Sequence, residues 1–298
     1  MTPRLAAWWR AARPYSLTAA ATPVLVGTAA AARDGRFDAA VFAAAFAGAL
    51  AIQAGTNMVN DYYDHARGID SPAGSGLGGG VIQHGLLPPR TVRAGGLALL
   101  GLGSALGLWL AAIAGWPVLA AGVLSVLAAY GYTGGPLPLG YVGLGDATVC
   151  LFMGPVIVLG AYFVQTRALS AGAGWASVPL ATLVTAILVV NNLRDLDEDR
   201  RKGKRTFATL IGDRGTRIEY ATLVAVAYLA VAAGVAVRAL PPPALAAFLT
   251  APSAAALVRR MSRATDPVLL TRYLRDTARL HARTGLLLAA ALLVSRLR

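Results

Sequence analysis

The sequence predicts an all-α integral membrane protein with nine transmembrane helices. Of its 298 residues, 56% are hydrophobic and only 14% are charged, whereas soluble domains carry about 25% charged residues. The apolar residues also form continuous windows, and a helix needs about 20 such residues to cross a bilayer. These windows lack the ten-residue alternation that is typical of strands in a membrane β-barrel.

Nine apolar windows follow one another along the chain. The predicted spans are Ser16–Ala32, Ala39–Val59, Ala94–Gly115, Pro117–Tyr132, Gly143–Val164, Trp175–Leu193, Tyr220–Val237, Pro242–Val258 and Thr284–Leu297. The fourth and the last are short for a full crossing. Because the windows fill most of the chain, we expect one membrane domain over residues 1–298.

The distribution of Lys and Arg predicts the orientation in the membrane. With a cytoplasmic N-terminus, 21 of the 27 basic residues fall in the cytoplasmic segments, as the positive-inside rule requires. Orientation therefore accounts for the net charge of +13, and nucleic acid is not expected as a partner. The acidic residues show the same distribution, since all of them except Asp34 and Asp38 fall in the cytoplasmic segments.

The end of the second span carries the first acidic cluster, in the stretch NMVNDYYDHARGID. Residues three and four apart share one face of a helix. If the helix of the second span continues through this stretch, a rotation of about 100° per residue places four polar side chains on one face: Asn57, Asn60, Asp61 and Asp64.

The end of the sixth span carries a second cluster, in the stretch NNLRDLDEDRRKGKRT. The same spacing places on one broad face Asn191, Asn192, Asp195, Glu198 and Asp199, whereas Asp197 points to solvent. The clusters start about 134 residues apart. We interpret this repetition as two pseudo-repeated halves, roughly residues 1–140 and 141–298.

Two facing carboxylate clusters would repel each other without a cation between them. Oxygen ligands without His or Cys favour Mg²⁺, which binds one or two carboxylates together with phosphates. The second cluster is also followed by a dense run of Lys and Arg, which suits a diphosphate. A solvated helix end would explain one such cluster, but two clusters with matching Asn-x-x-x-Asp spacing on one membrane side favour a Mg²⁺–diphosphate site. The glycine-rich stretch Ala73–Gly80 is predicted to be a lid over it.

On these two motifs the chain resembles the UbiA superfamily of intramembrane prenyltransferases. NDYYDHARGID looks like its first Asp-rich motif and NNLRDLDEDRRKGKRT like its second. The resemblance implies a nine-helix bundle, with a polyprenyl diphosphate bound at the cytoplasmic side and its tail among the helices. The stretches AARPYSLTAAATPVLVGTA, YTGGPLPLGYVGLGD and GPVIVLGAYFVQT are similar to the MenA branch, which prenylates 1,4-dihydroxy-2-naphthoate in menaquinone biosynthesis.

The resemblance also implies roles for individual residues. The carboxylates that would hold Mg²⁺ are Asp61, Asp64, Asp195 and Asp199. The asparagines that would support them are Asn57, Asn60, Asn191 and Asn192. The candidates for contact with the diphosphate are Arg67, Lys204 and Arg205. Tyr130 and Tyr132 would shield the allylic cation from water, or serve only as interfacial tyrosines, and Asp146 would orient or deprotonate the acceptor.

One departure from the family leaves an alternative open. Relatives carry an Arg in the segment matching GGGVIQHG, at or near Gly80, where this chain has only Gly. That weakens the case for an anionic aromatic acceptor and keeps open a UbiA-type terpene cyclase, which would quench the cation with its own double bonds. A transporter is a further alternative, but its acidic residues would lie near the bilayer midplane rather than at the ends of spans.

Overall fold

The computed structural model describes residues 2–69 and 80–297. Within these ranges the chain is helical apart from turns, loops and one isolated bridge between Val142 and Arg205. The first six helices are α1 Pro3–Ala11, α2 Pro14–Arg33, α3 Ala39–Ala66, α4 Pro89–Ala114, α5 Trp116–Gly131 and α6 Gly145–Leu151. The other six are α7 Ile157–Thr166, α8 Ala171–Arg194, α9 Leu196–Arg201, α10 Phe207–Ala236, α11 Ala251–Met261 and α12 Pro267–Val294.

Side-chain caps begin several of these helices. Asp38 accepts hydrogen bonds from the backbone N–H groups of Ala40 and Val41 at the start of α3. Ser170 caps α8 in the same way, and Thr206 caps α10. Such caps satisfy N–H groups that have no partner inside the helix.

All nine predicted spans coincide with helical segments, but nine membrane crossings are not confirmed. Among the described residues, seven helical segments are long and apolar enough to span a bilayer. They are α2, α3, α4, the combined segment α6–α7, α8, α10 and α12. A π-helical turn, Phe152–Val156, joins α6 to α7, and α5 is a shorter apolar helix.

The predicted span Pro242–Val258 does not form one long helix. It begins as a 3₁₀ segment, Pro242–Thr250, and continues into α11. The sequence Pro241-Pro242-Pro243 explains this break, because proline has no N–H group to donate within a helix.

The last predicted span begins earlier than expected, at Pro267 instead of Thr284. The first half of α12 is amphipathic, and its charged residues interrupt the continuous apolar window by which a membrane span is predicted. Arg272, Arg275 and Arg279 are exposed on one face, while Leu274 and Thr277 are buried on the other.

The centre of the bundle is formed by α2 and α8, which are its most buried spans. Beside them α3 and α4 lie very close together. A Cβ atom on Gly55 would lie 2.8 Å from the backbone oxygen of Gly96, so glycine is required for this approach. On the other side of α8, a buried apolar cluster joins it to α10, α11 and α12.

Candidate active site

The first acidic motif lies on the last turns of α3, which continues to Ala66. The side chains of Asn57, Asn60 and Asp64 line one large cavity. Asn57 donates hydrogen bonds to the backbone oxygen of Ala12 at 2.9 Å and to Oγ of Ser16 at 2.8 Å. Oδ1 of Asn60 accepts a 2.7 Å hydrogen bond from the hydroxyl of Thr133, just after α5. Both asparagines are therefore anchored at the cavity wall.

Asp61 is turned away from this cavity, contrary to the shared wedge that the spacing predicted. Its side chain is 0% exposed and forms an ion pair with Arg13. Arg13 joins α1 to α2 with a φ of 52°, a left-handed conformation that non-glycine residues seldom adopt. Such a backbone persists where its surroundings fix it. No sequence pattern had indicated a role for Arg13, although it lies in the stretch AARPYSL.

Tyr141, in the loop after α5, connects the first motif to the second. Its hydroxyl donates to Oδ1 of Asp64. The Arg67 guanidinium lies 4.9 Å from the centroid of its ring, and Nζ of Lys204 lies 5.2 Å from it. Burial, reinforced by the charge of Asp64, raises the pKa of Tyr141, so the tyrosine remains a hydrogen-bond donor. No sequence pattern had indicated this role for Tyr141 either.

The second motif begins at the end of α8. Asn191 and Asn192 line the same cavity as the first motif. The helix is interrupted at Asp195, whose ψ of 4° ends α8 before α9 begins. Asp195 is held there by Arg194, with a closest distance of 2.6 Å between the guanidinium and the carboxylate.

Asp199 lies on α9, almost fully buried. Nζ of Lys204 is 3.5 Å from its Oδ1, while its Oδ2 has no hydrogen-bond partner in residues 2–69 and 80–297. Burial raises the pKa of Asp199 to about 6, and the charge of Lys204 opposes that rise. As predicted, Asp197 on the same helix points to solvent, with its side chain 90% exposed.

Both motifs lie at the same end of the bundle. Nζ of Lys202 donates to the backbone oxygen of Ile69, near the end of the first motif, and is 2.6 Å from Oε1 of Glu198. Lys202 thus connects α9 to the end of the first motif. The negative charge of Asp64, at the end of α3, also contributes to the raised pKa of Asp199 on α9.

The cavity has a polar mouth and an apolar interior, with a volume of about 840 Å³. Its mouth contains side chains from both motifs and Lys204. Its interior is lined by small and apolar residues of α2, α3, α4, α5, α7 and α8. It therefore combines a polar end with a long apolar compartment, as an amphiphilic ligand would require.

Of the predicted site residues Asp146, Tyr132 and Tyr130, only Tyr132 lines the cavity. Asp146 is buried at the start of α6, and neither of its carboxylate oxygens has a hydrogen-bond partner within the described ranges. Tyr132 does line the cavity, and burial raises its pKa with a further contribution from Asp146. Tyr130 instead shares a 2.5 Å hydrogen bond with Tyr63.

The two arginines proposed for the diphosphate lie at the rim. Arg67 is exposed and donates to the backbone oxygens of Thr133 and Gly135. Arg205 is also exposed, and its backbone N–H donates to Tyr141. Of the predicted lid, residues 73–79 lie outside the described residues.

The polar end of the cavity is better suited to Mg²⁺, which also binds water and substrate phosphates, than to a metal ion whose ligands all come from the protein. The described residues contain no group of three His, Cys, Asp or Glu side chains arranged around one point. The charge of Asp64 contributes to the raised pKa of Asp199, and one oxygen of Asp199 has no hydrogen-bond partner among the described residues. Mg²⁺ commonly uses one or two carboxylates and completes its octahedron with water and substrate phosphates.

Comparison with known proteins identifies the family. The profile of the UbiA prenyltransferase family matches residues 20–294. The chain is 35% identical over 290 residues to the 1,4-dihydroxy-2-naphthoate octaprenyltransferase of Bacillus subtilis (strain 168), covering 97% of this chain and 93% of the relative. It is 34% identical to the protein of the same name from Escherichia coli (strain K12), over 74% of this chain and 73% of the relative.

Solved structures agree on the fold. A UbiA homolog from Aeropyrum pernix K1 superposes with a TM-score of 0.69 at 16% identity, covering 92% of this chain and 97% of that one. A UbiA homolog from Archaeoglobus fulgidus bound to GPP and Mg²⁺ gives 0.63 at 14% identity, covering 95% and 99%. The seven spanning segments, the shared site of the two motifs and these matches lead to one conclusion: the chain is an integral membrane protein of the UbiA prenyltransferase family.

Proposed function

We propose that this protein transfers the prenyl group of a polyprenyl diphosphate to 1,4-dihydroxy-2-naphthoate in a Mg²⁺-dependent reaction of menaquinone biosynthesis. The observation that carries the proposal is a cavity in which an apolar compartment opens at a mouth lined by residues of both acidic motifs. The names of the relatives from B. subtilis and E. coli support the choice of acceptor.

The diphosphate would bind at the mouth, between α3 and α9. Asp64 and Asp199 are the best-placed ligands for Mg²⁺, whereas Asp61 and Asp195 are each engaged by an arginine. Bound Mg²⁺ would stabilise the negative charge that develops on the departing diphosphate. Lys204, at the cavity wall, would add positive charge to the same oxygens. Other polar contacts would come from the rim and wall residues Arg67, Arg205, Asn57, Asn60, Asn191 and Asn192.

The allylic cation formed by this ionisation needs protection from water until the acceptor attacks it. Tyr132 lines the cavity, and the face of its ring would stabilise a nearby cation. The electron-rich ring of the acceptor would then form the new carbon–carbon bond and lose a proton.

Asp146 would act indirectly in this scheme. It lies behind Tyr132 rather than on the cavity wall, so we place it as a group that influences Tyr132 instead of one that contacts the acceptor.

The mouth of the cavity would face the cytoplasm. Most Lys and Arg residues lie in the segments on its side of the bundle, which the positive-inside rule assigns to the cytoplasm. Soluble naphthoate could then reach the mouth while the prenyl chain remains in the apolar compartment.

A reconstitution experiment tests the proposal. Purified protein in lipid nanodiscs receives octaprenyl diphosphate and Mg²⁺, with or without 1,4-dihydroxy-2-naphthoate, and the organic products are analysed by mass spectrometry. We expect a prenylated naphthoate, formed only with both Mg²⁺ and the acceptor. A cyclic hydrocarbon formed without acceptor would overturn the proposal in favour of a terpene cyclase.

A further inference from the structure

The spanning helix α12 carries an exposed row of basic side chains. The row consists of Arg272, Arg275, Arg279 and Arg283. At about 100° per residue, all four fall within one wedge of about 80° on the helix. Nη1 of Arg279 is 2.9 Å from Oδ1 of Asp276, while no ion pair within residues 2–69 and 80–297 reaches the other three. The row therefore keeps a net positive charge.

The other spanning segments keep charged residues away from their middle. Each of the other six contains at least 17 consecutive residues without Asp, Glu, Lys or Arg, such as residues 14–32 of α2 and 171–193 of α8. In α12 the corresponding stretch, residues 284–294, has only 11 residues. Its length of about 16 Å is about half of the hydrocarbon core of a bilayer, so the row extends into the depth of the membrane.

Contacts inside the bundle give the depth of the row. A Cβ atom on Gly285 of α12 would lie 2.9 Å from Cδ2 of Leu180 and would overlap Thr22. Thr22 is the ninth of the 20 residues of α2, and Leu180 is the tenth of the 24 residues of α8. Gly285 therefore lies near the middle of the bundle. Arg283 and Arg279 are two and six residues away from it, or about 3 Å and 9 Å along the helix.

The row lies between this middle level and the mouth of the cavity. Leu274, in the first half of α12, lines the cavity and shares an apolar cluster with Leu196 of α9. Leu292, in the second half, instead packs in the cluster that contains Ala30, near the far end of α2. The arginines thus lie at the depth of the hydrocarbon in the leaflet on the mouth side, where an exposed charge is costly unless it is compensated.

Beyond the arginines, the same face of α12 becomes apolar. Leu286 is 52% exposed and Leu293 is 46% exposed, and their positions fall in the same wedge of the helix as the row. The face is therefore cationic toward the mouth and apolar toward the far end. A phospholipid has the same order along the membrane normal, with a phosphate group followed by acyl chains.

We propose that this face of α12 binds an anionic phospholipid of the leaflet on the mouth side, with the lipid phosphate at Arg279 and Arg283. Arginine side chains reach toward the membrane interface, and the guanidinium group donates two parallel hydrogen bonds to phosphate oxygens. Local thinning of the bilayer allows a headgroup to approach charges at this depth. The acyl chains would then lie along Leu286 and Leu293. The inference does not depend on the proposed reaction.

A second copy of the chain fits this face less well. In a two-fold symmetric dimer the same patch belongs to both subunits, so the two arginine rows would face each other. Like charges repel most strongly where the dielectric constant is low. An anionic lipid brings the opposite charge and an apolar part together, as the face requires.

Lipid binding by the double variant Arg279→Gln/Arg283→Gln tests the inference. Wild type and variant in detergent are titrated with phosphatidylglycerol or with phosphatidylcholine, and the bound molecules are identified by native mass spectrometry. The matched control is Arg4→Gln/Arg90→Gln, which also removes two exposed arginines, one on α1 and one on α4.

We expect wild type to bind phosphatidylglycerol in preference to phosphatidylcholine, and the double variant to bind phosphatidylglycerol about tenfold or more weakly, with the control near wild type. Equal binding of the two lipids by wild type, or equal losses in the variant and the control, would overturn the inference. A second protein chain bound to wild type in place of lipid would also overturn it. If the double variant fails to fold, Arg283→Gln alone replaces it.

Thermal unfolding in nanodiscs gives a second readout. In phosphatidylcholine the double variant should unfold at the temperature of wild type or above it, because it loses exposed charges at hydrocarbon depth. In phosphatidylglycerol wild type should gain stability relative to the variant, since a ligand that binds the folded state stabilises it. A variant that responds to phosphatidylglycerol as strongly as wild type would refute the role of this face.

Discussion

The ion pair between Arg13 and Asp61 connects the N-terminal helix to the first motif, and its removal should destabilise the protein. The Asp61 side chain is 0% exposed and that of Arg13 is 23% exposed. In Arg13→Gln the carboxylate of Asp61 would stay buried without its counter-charge. Leaving one charge of a buried pair without its partner costs about 3–5 kcal/mol.

The partial exposure of Arg13 places the expected effect at the lower end of that range. We expect Arg13→Gln to lower the free energy of unfolding by about 3 kcal/mol. The double variant Arg13→Gln/Asp61→Asn removes both charges and should recover about 2 kcal/mol of that loss, since residues in contact couple by about 0.5–3 kcal/mol.

Denaturant unfolding in detergent micelles, followed by circular dichroism, measures both quantities. Arg4→Gln is the control, because Arg4 lies on the same helix α1 and is exposed, so its replacement should change stability by less than about 0.5 kcal/mol. If Arg13→Gln were as stable as wild type, or the double variant no more stable than the single one, the pair would not hold Asp61 in the way that the structure indicates.

Three further changes test the polar mouth. Asp199→Asn should lower kcat about 100-fold by removing a metal-binding charge, while Asp197→Asn, at a 90% exposed side chain, should leave turnover unchanged; equal rates would contradict the metal site. Because burial raises the pKa of Asp199 to about 6, the Mg²⁺-induced thermal stabilisation should decrease as the pH falls through that value and the carboxylate gains a proton. This pH dependence should disappear in Asp199→Asn. Lys202→Met should raise the donor KM several-fold with little change in kcat, because Lys202 connects α9 to the end of the first motif rather than to the reacting atoms; a loss in kcat alone would refute that role.

The predictions that succeeded were those that depend on local sequence. Each apolar window coincides with a helical segment, although the windows missed α1, α9 and the first half of α12; cap or proline signals account for many of the boundaries. The continuation of α3 through the first motif followed from helix periodicity, so Asn57, Asn60 and Asp64 were correctly expected to share a face. The two pseudo-repeated halves remain a prediction.

Contacts between distant parts of the chain could not be predicted from the sequence. Asp61 belongs to the same helical wedge by spacing, yet it faces Arg13, 48 residues earlier. Asp64 bonds to Tyr141, 77 residues later, and Lys202 reaches Ile69 across 133 residues. Helix periodicity gives the direction of a side chain but not the neighbour in that direction, so no spacing rule could have selected these three partners.

These contacts also explain how so many carboxylates coexist at one end of a membrane bundle. Three of the acidic residues are each paired with one basic residue: Asp61 with Arg13, Asp195 with Arg194 and Asp199 with Lys204. Because these charges are compensated within the protein, the site does not need a metal ion in order to fold. The three pairs differ in what a ligand can change. The two arginine pairs are shorter, with 2.6 Å between Arg194 and Asp195, whereas Nζ of Lys204 is 3.5 Å from Oδ1 of Asp199 and Lys204 also lines the cavity. On the proposed function, this third pair is therefore the one whose partners a ligand would most easily change: Asp199 would hold Mg²⁺ and Lys204 would contact the phosphate oxygens.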